Sequence, residues 1–209
     1  FSKKKILKKK ITYIASNQIF LQLKAADILD LVLKAKEVET YTYKILNEKA
    51  LTIRIIRKIP LNLGYLLGKL EFLDISVMNI FKLFDDKKCF EIQFTEKVDD
   101  GDLLHIEEII NASFDMSKKL TLKQPVILKN EVEVNCNHTS YLASMRINAI
   151  NQKGLLAYIT KIFDDFGVEI ESAKLSLNKK RVRDLFLIEK NGNFSVNSEK
   201  IVEMICSND

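Results

Sequence analysis

The sequence predicts an α+β protein: an antiparallel sheet with helices on one face, made by a module that occurs twice. Two stretches carry this prediction. Between Met145 and Glu189 a short apolar strand enters the turn Asn151-Gln152-Lys153-Gly154 and an amphipathic helix leaves it; two alternating strands follow, and another helix begins at about Val196. Between Leu51 and Asp115 the same order recurs in weaker form. Setting Gly64 on Gly154 and the hairpin Lys87-Lys88 on Lys180-Arg181 aligns the two with small gaps, as a duplicated unit requires. The order is that of a ferredoxin-like βαββαβ module, used twice in tandem and preceded by short helices. The expected divisions are 1–36 (helical tail of an upstream domain), 37–124 (a degenerate first module) and 125–209 (the second module).

Taken in order, Ile6, Leu7, Ile11 and Ile14 have helical spacing, and Ser16 suits the N-cap of a short turn through Leu23. A second apolar stripe, Ala26, Leu29 and Leu33 with Ile28 and Val32, predicts a helix ending near Lys36. Glu37 to Leu46 is β-branched and aromatic. With the turn Asn47-Glu48-Lys49 and the run Leu51 to Ile59 it predicts a hairpin. After the break Pro60 to Gly64, Leu63, Leu66, Leu67, Leu70 and Leu73 share a helical face. The next strand, from Ile75, changes its apolar phase near Asn79, as a bulge would cause. Asp85-Asp86-Lys87 is a turn, and Phe90, Ile92 and Phe94 alternate. Asp99 to Asp102 leads a helix with Leu103, Ile106, Ile109 and Ile110, and Leu120 to Lys123 is expected to close the unit as a strand.

A connector with extended character, Val126, Leu128, Val132 and Val134, joins the copies. In the second copy, Met145, Ile147 and Ala149 line one face of the first strand. Leu155, Ile159, Ile162 and Phe166 form an amphipathic helix that Gly167 ends. The strand from Val168 changes phase at Ser172-Ala173, Asn178-Lys179-Lys180 turns, and Val182 to Ile188 alternates. Ser195 opens the last helix, with Ile201, Val202 and Ile205.

Composition narrows the function. With 209 residues and 47% apolar content the chain can bury a core in each unit. No apolar run approaches the roughly 20 residues of a membrane span, so no membrane partner is expected. The basic start, without Met, reads as an internal or C-terminal piece of a longer protein. Cys89, Cys136 and Cys206 are odd in number and widely spaced, which fits a reducing cytoplasm. With two His and no cluster of ligands, neither a metal nor a cofactor is expected. The net charge of +5 gathers at the N-terminus and around Lys179 to Arg183. No aromatics interleave with those charges to stack bases, so nucleic acid is not an expected partner. Glu169, Glu171 and Asp164-Asp165 lack an arranged nucleophile or acid and are expected to be solvated, so no catalytic residue is assigned.

The turn is the candidate site. A strand-to-helix turn with glycine leaves free N–H groups at a helix N-terminus, and these favour an anion such as an amino-acid carboxylate. Asn151, Gln152, Lys153, Gly154, Leu155 and Leu156 are therefore the expected ligand-binding residues, with Asn151 and Gln152 adding amide groups. Asn62 and Gly64 are the degenerate counterpart in the first copy. The alternative reading of the glycine is close packing of the helix.

These residues also carry a resemblance. Asn151 to Leu156, then Ile159-Thr160, Gly167-Val168, Ser172-Ala173-Lys174, Arg181-Val182, Asp184 and Phe186 look like an ACT domain. More narrowly they resemble the second ACT domain of the bifunctional PII uridylyltransferase/uridylyl-removing enzymes. That family reads Asp-Arg-Pro-Gly-Leu-Leu at the turn and Arg-Val-x-Asp-x-Phe on the later strand. The match covers about 132–190 well and 51–115 loosely; the N-terminal helices sit where the family ends its HD hydrolase domain. Asn151 replaces the family's aspartate and Lys153 its proline. The resemblance implies a glutamine-sensing regulatory region that controls uridylylation and deuridylylation of the PII signalling protein from outside the catalytic domains. The parent would be a nucleotidyltransferase. The other reading is a ligand-independent module for homodimerisation or protein docking.

Overall fold

The structure is a computed structural model, and it describes residues 2–15, 25–178, 180–190 and 192–206. The expected turn from Ser16 to Leu23 lies outside these residues. Eight strands form one antiparallel sheet: β1 (Tyr41–Asn47), β2 (Leu51–Arg57), β3 (Ile75–Lys82), β4 (Lys88–Phe94), β5 (Val132–Asn135), β6 (Leu142–Ile147), β7 (Ile170–Asn178) and β8 (Arg181–Glu189). Their spatial order is β1-β2-β4-β3-β7-β8-β6-β5. Among the described residues six α-helices accompany them: α1 (Ser2–Ala15), α2 (Ala25–Glu37), α3 (Leu63–Lys69), α4 (Asp100–Ala112), α5 (Leu155–Asp165) and α6 (Gly192–Ile205).

The strand order reads the same from either end. Each repeat contributes strand, helix, strand, strand, helix: β2-α3-β3-β4-α4, then β6-α5-β7-β8-α6. The repeats meet where β3 pairs β7 antiparallel, Met78 opposite Leu175 and Ile80 opposite Ala173. In both repeats the edge beside the first strand is filled from upstream, by β1 against β2 and β5 against β6. The βαββαβ pattern therefore holds with its outer strand placed before the unit. That placement corrects one expectation: Leu120 to Lys123 is not a strand. Its place on the sheet is taken by β1, and Leu120 and Leu122 lie instead against Gly68 of α3.

One apolar core runs under both repeats on the face that carries α3, α4, α5 and α6. It joins Ile53, Leu66, Ile80, Ile92 and Ile106 to Met145, Ile159, Leu175, Phe186 and Ile201. A second core lies on the other face, where Ile28, Leu31, Val32 and Ala35 of α2 cover Ile56, Phe81, Leu83, Phe84 and Cys89. This two-sided burial corrects two expectations. Of the expected α2 stripe, Ile28 and Val32 are buried, but Ala26, Leu29 and Leu33 are exposed, as is Ile6 of α1. The phase change near Asn79 is not a bulge: Ile80 faces one core and Phe81 the other, so both must be apolar. The irregular step in β3 lies earlier, between Ile75 and Val77, and its counterpart in β7 lies between Ile170 and Ser172. α6 starts at Gly192, ahead of the expected Ser195, and buries Phe194.

Candidate functional site

The turn between β6 and α5 is held from two sides. On the sheet side the Val182 N–H donates to Ala149 O at 2.9 Å and the Asn151 N–H to Lys180 O at 2.8 Å. Arg181 ties the same corner, donating to Asn148 Oδ1 at 3.1 Å and to Glu131 at 2.7 Å. On the connector side the Gln152 side chain makes a matched pair with Val126. Its Oε1 accepts from Val126 N at 2.9 Å, and its Nε2 donates to Val126 O at 2.7 Å. Gln152 thus uses both ends of its amide on backbone, and its part in the site is to position the turn.

Gly154 then adopts φ +76°, the left-handed conformation that L side chains resist, and α5 starts directly after it. A glycine N-cap has no side chain to offer: the Leu155 N–H donates to Gln152 O at 3.1 Å, and the next N–H groups of the first turn of α5 have no side-chain cap. In front of them is a cavity of about 260 Å³ lined by all six residues from Asn151 to Leu156. Leu67 and Leu70 of α3 and Leu175 and Val182 of the sheet supply its apolar surface. Three carboxylates, Glu71, Asp74 and Asp184, are on its wall. Asp184 is buried on β8 and has its own partner within the protein. Glu71 approaches Gly154 most closely; a Cβ at that glycine would sit 3.2 Å from Glu71 Oε2.

The first repeat's turn has the same parts in a closed arrangement. Asn62 caps α3, accepting from the Tyr65 N–H at 3.1 Å, while its Nδ2 donates to Lys118 O at 2.8 Å. Gly64 here has no left-handed φ; it is required by contact, because a Cβ would lie 2.4 Å from Lys161 Cα on α5. The Gly64 N–H donates to Asp164 Oδ2 at 2.7 Å. The remaining space is about 100 Å³. Helix length explains the difference. α5 has 11 residues and reaches across the first turn with its last turn; α3 has 7 and stops short of the second.

Asp164 is one of the carboxylates expected to be solvated, and the structure corrects that. Burial between α3 and α5 pushes its pKa up to about 7, with Asp165 and Glu169 adding to the rise and the Gly64 N–H and Arg57 opposing it. Glu169 and Glu171 are also engaged. Glu169 accepts from Arg57 and Lys88, each at 2.7 Å, and Lys82 lies 3.2 Å from Glu171 and 3.4 Å from Glu189. This network joins β2, β3 and β4 of the first repeat to β7 and β8 of the second. Sequence reasoning missed Glu71, Asp74 and Asp184 as neighbours of the turn. No local signal marks them, since the first two belong to the other repeat.

Among the described residues no group of three or more His, Cys, Asp or Glu could hold a metal ion. His105 is exposed beside Glu108, and His138 lies exposed in a turn. Among the described residues no helix is long and apolar enough to cross a membrane.

No protein-family model matches the sequence. Among solved structures the chain is similar to the crystal structure of an aspartate kinase from Synechocystis, at 13% identity and a TM-score of 0.41. The similarity covers 73% of this chain and 26% of that one, so this chain spans about a quarter of the other's length.

Proposed function

We propose that this chain is a regulatory region of ACT type that binds an α-amino acid in the cavity between its two repeats. The observation that carries this reading is that a helix N-terminus and carboxylates line one small cavity. The α5 N-terminus, whose first turn has no side-chain cap, suits a ligand carboxylate. On the wall of the same cavity, Glu71 and Asp74 suit a ligand ammonium. The missing family aspartate at position 151 is then compensated from the other repeat. Leu67, Leu70 and Leu175 would receive the aliphatic part of the side chain.

Glutamine is the amino acid we propose, on the resemblance of residues 132–190 to the second ACT domain of PII uridylyltransferases. In that setting the bound amino acid biases catalytic domains outside this chain between attaching UMP to PII and removing it. The bias requires different affinities for two arrangements of the repeats. A ligand touching α3 and α5 together would sense their spacing.

Titration calorimetry tests the reading. L-Glutamine is expected to bind the chain, and Glu71→Gln to weaken it about tenfold by removing a charged acceptor. The absence of heat with glutamine and with the other common amino acids would overturn it.

A further inference from the structure

We infer that Asp184 selects the ligand by its side chain, accepting an amino acid whose side chain ends in a hydrogen-bond donor and excluding one that ends in a carboxylate. This class of side chain is an addition to the amino-acid site proposed above and rests on it. The ionisable groups that line the cavity lie at two depths. Glu71, Asp74 and Lys153 are exposed, at its rim. Asp184 is only 6% exposed. Along β8 the residues Val182, Asp184 and Phe186 are buried in alternation, so Asp184 holds a core-facing place where the strand period calls for an apolar residue. In register it lies between Leu175 of β7 and Ile147 of β6, both buried. Among the described polar side chains that line the cavity, Asp184 alone is buried.

A carboxylate in such a place is costly unless donors reach it, and when ionised it only accepts. Asp184 has a partner within the protein. An ionised carboxylate offers about four acceptor positions on its two oxygens, so it can serve a protein partner and a ligand together. A ligand whose own carboxylate and ammonium are held at the rim, by the α5 N-terminus and by Glu71 and Asp74, sends its side chain inward past Leu155, Leu175 and Val182. The tip then meets Asp184. An amide tip donates its N–H to the carboxylate. A tip without a donor leaves that acceptor unused. A second carboxylate meets like charge where little water screens it. Glutamine, the amino acid proposed above, falls in the accepted class, and glutamate, of the same length, in the excluded one.

Titration calorimetry of the full chain with three related ligands tests the role of Asp184. They are L-glutamine, L-glutamate and the γ-methyl ester of L-glutamate, which is neutral at its tip but has no donor there. In the native chain L-glutamine is expected to bind about tenfold more tightly than either of the others, the difference one charge-assisted hydrogen bond makes. In Asp184→Asn, which keeps the shape, removes the charge and supplies a donor, glutamate and the ester are each expected to gain about tenfold on glutamine. Equal binding of glutamine and the ester, or of glutamine and glutamate, by the native chain overturns the selectivity and leaves the amino-acid site standing, whether or not Asp184→Asn folds. An Asp184→Asn chain that melts as a folded protein and keeps the native preference for glutamine overturns the assignment to Asp184 in the same way. Heat from none of the three ligands, nor from the other common amino acids, overturns the site and its selectivity together.

Discussion

Gly64 and Gly154 occupy matching places in the two repeats and are needed for unrelated reasons. At Gly154 the backbone is left-handed, and Gly154→Ala is expected to destabilise the fold by about 1–2 kcal/mol. Its Cβ would also press on Glu71 Oε2, a movable group, so the second effect is on the cavity. At Gly64 the obstacle is the backbone of α5, which cannot turn aside, and Gly64→Ala is expected to cost about 2–3 kcal/mol by forcing α3 and α5 apart. Thermal melts of the two variants with and without glutamine check this. Gly154→Ala should lose the ligand response with a small fall in Tm, and Gly64→Ala should show the larger fall. Asp164 gives a second test at this scale. Its carboxyl has an ordinary pKa of 3.8 and a folded value of about 7, so between these the folded chain holds a proton that the unfolded chain has released. Stability from this group is therefore complete below about pH 4 and is lost as pH rises through about 7. Urea midpoints at pH 5 and pH 8 should fall further in the native chain than in Asp164→Asn, and equal falls would contradict the assignment.

The elements themselves were largely legible because period and punctuation agree along this chain. The α5 stripe Leu155, Ile159 and Ile162 is buried as spaced, and the β1–β2 hairpin and the Asp85-Asp86 turn fall where residue types put them. Asp tolerates the φ of 55° and 57° that this turn demands. What failed depends on a second layer. α2 and β3 misled because the sheet is covered on both faces there, and a one-faced pattern cannot describe Ile80 beside Phe81. The site was legible as a turn and illegible as a cavity, since part of its wall comes from Glu71 and Asp74 of the other repeat. The charges at Glu169 and Glu171 look solvated along the strand but join the repeats in space. Lys88 is almost fully buried, and burial pushes its pKa down against the pull of Glu169. Glu169→Gln would leave Lys88 and Arg57 without their shared carboxylate. Because Glu169 is itself partly exposed, the expected loss is about 1–3 kcal/mol, less than the roughly 3–5 kcal/mol of a fully buried pair that loses one partner. Chemical denaturation of this variant measures it, and a change within about 0.5 kcal/mol would reduce the network to ordinary surface charge.

At the scale of the molecule, the mirror order of the strands means that each repeat serves as the other's partner. The β7 edge is satisfied by β3 and the inner face of α5 by α3. A chain reduced to residues 125–209 would bare both, and an unpaired strand edge beside an apolar helix face invites a second copy. The geometry of the native pair favours that substitution. β3 and β7 pair antiparallel across a local two-fold, so a second β7 can take the place of β3. The glycine that α5 demands of its neighbour would be supplied by Gly154, which stands in its own repeat as Gly64 does in the first. The copy would not be equivalent to the native pair in one respect. The 7-residue α3 leaves the cavity open, whereas an 11-residue α5 crossing the same turn would close it, as it does at Gly64. The expected outcome is therefore a half-chain that sediments as a dimer and gives no heat with glutamine, while the full chain binds. A folded monomeric half, or a dimer that binds glutamine as well as the full chain does, would show that the cavity does not depend on the short helix of the first repeat.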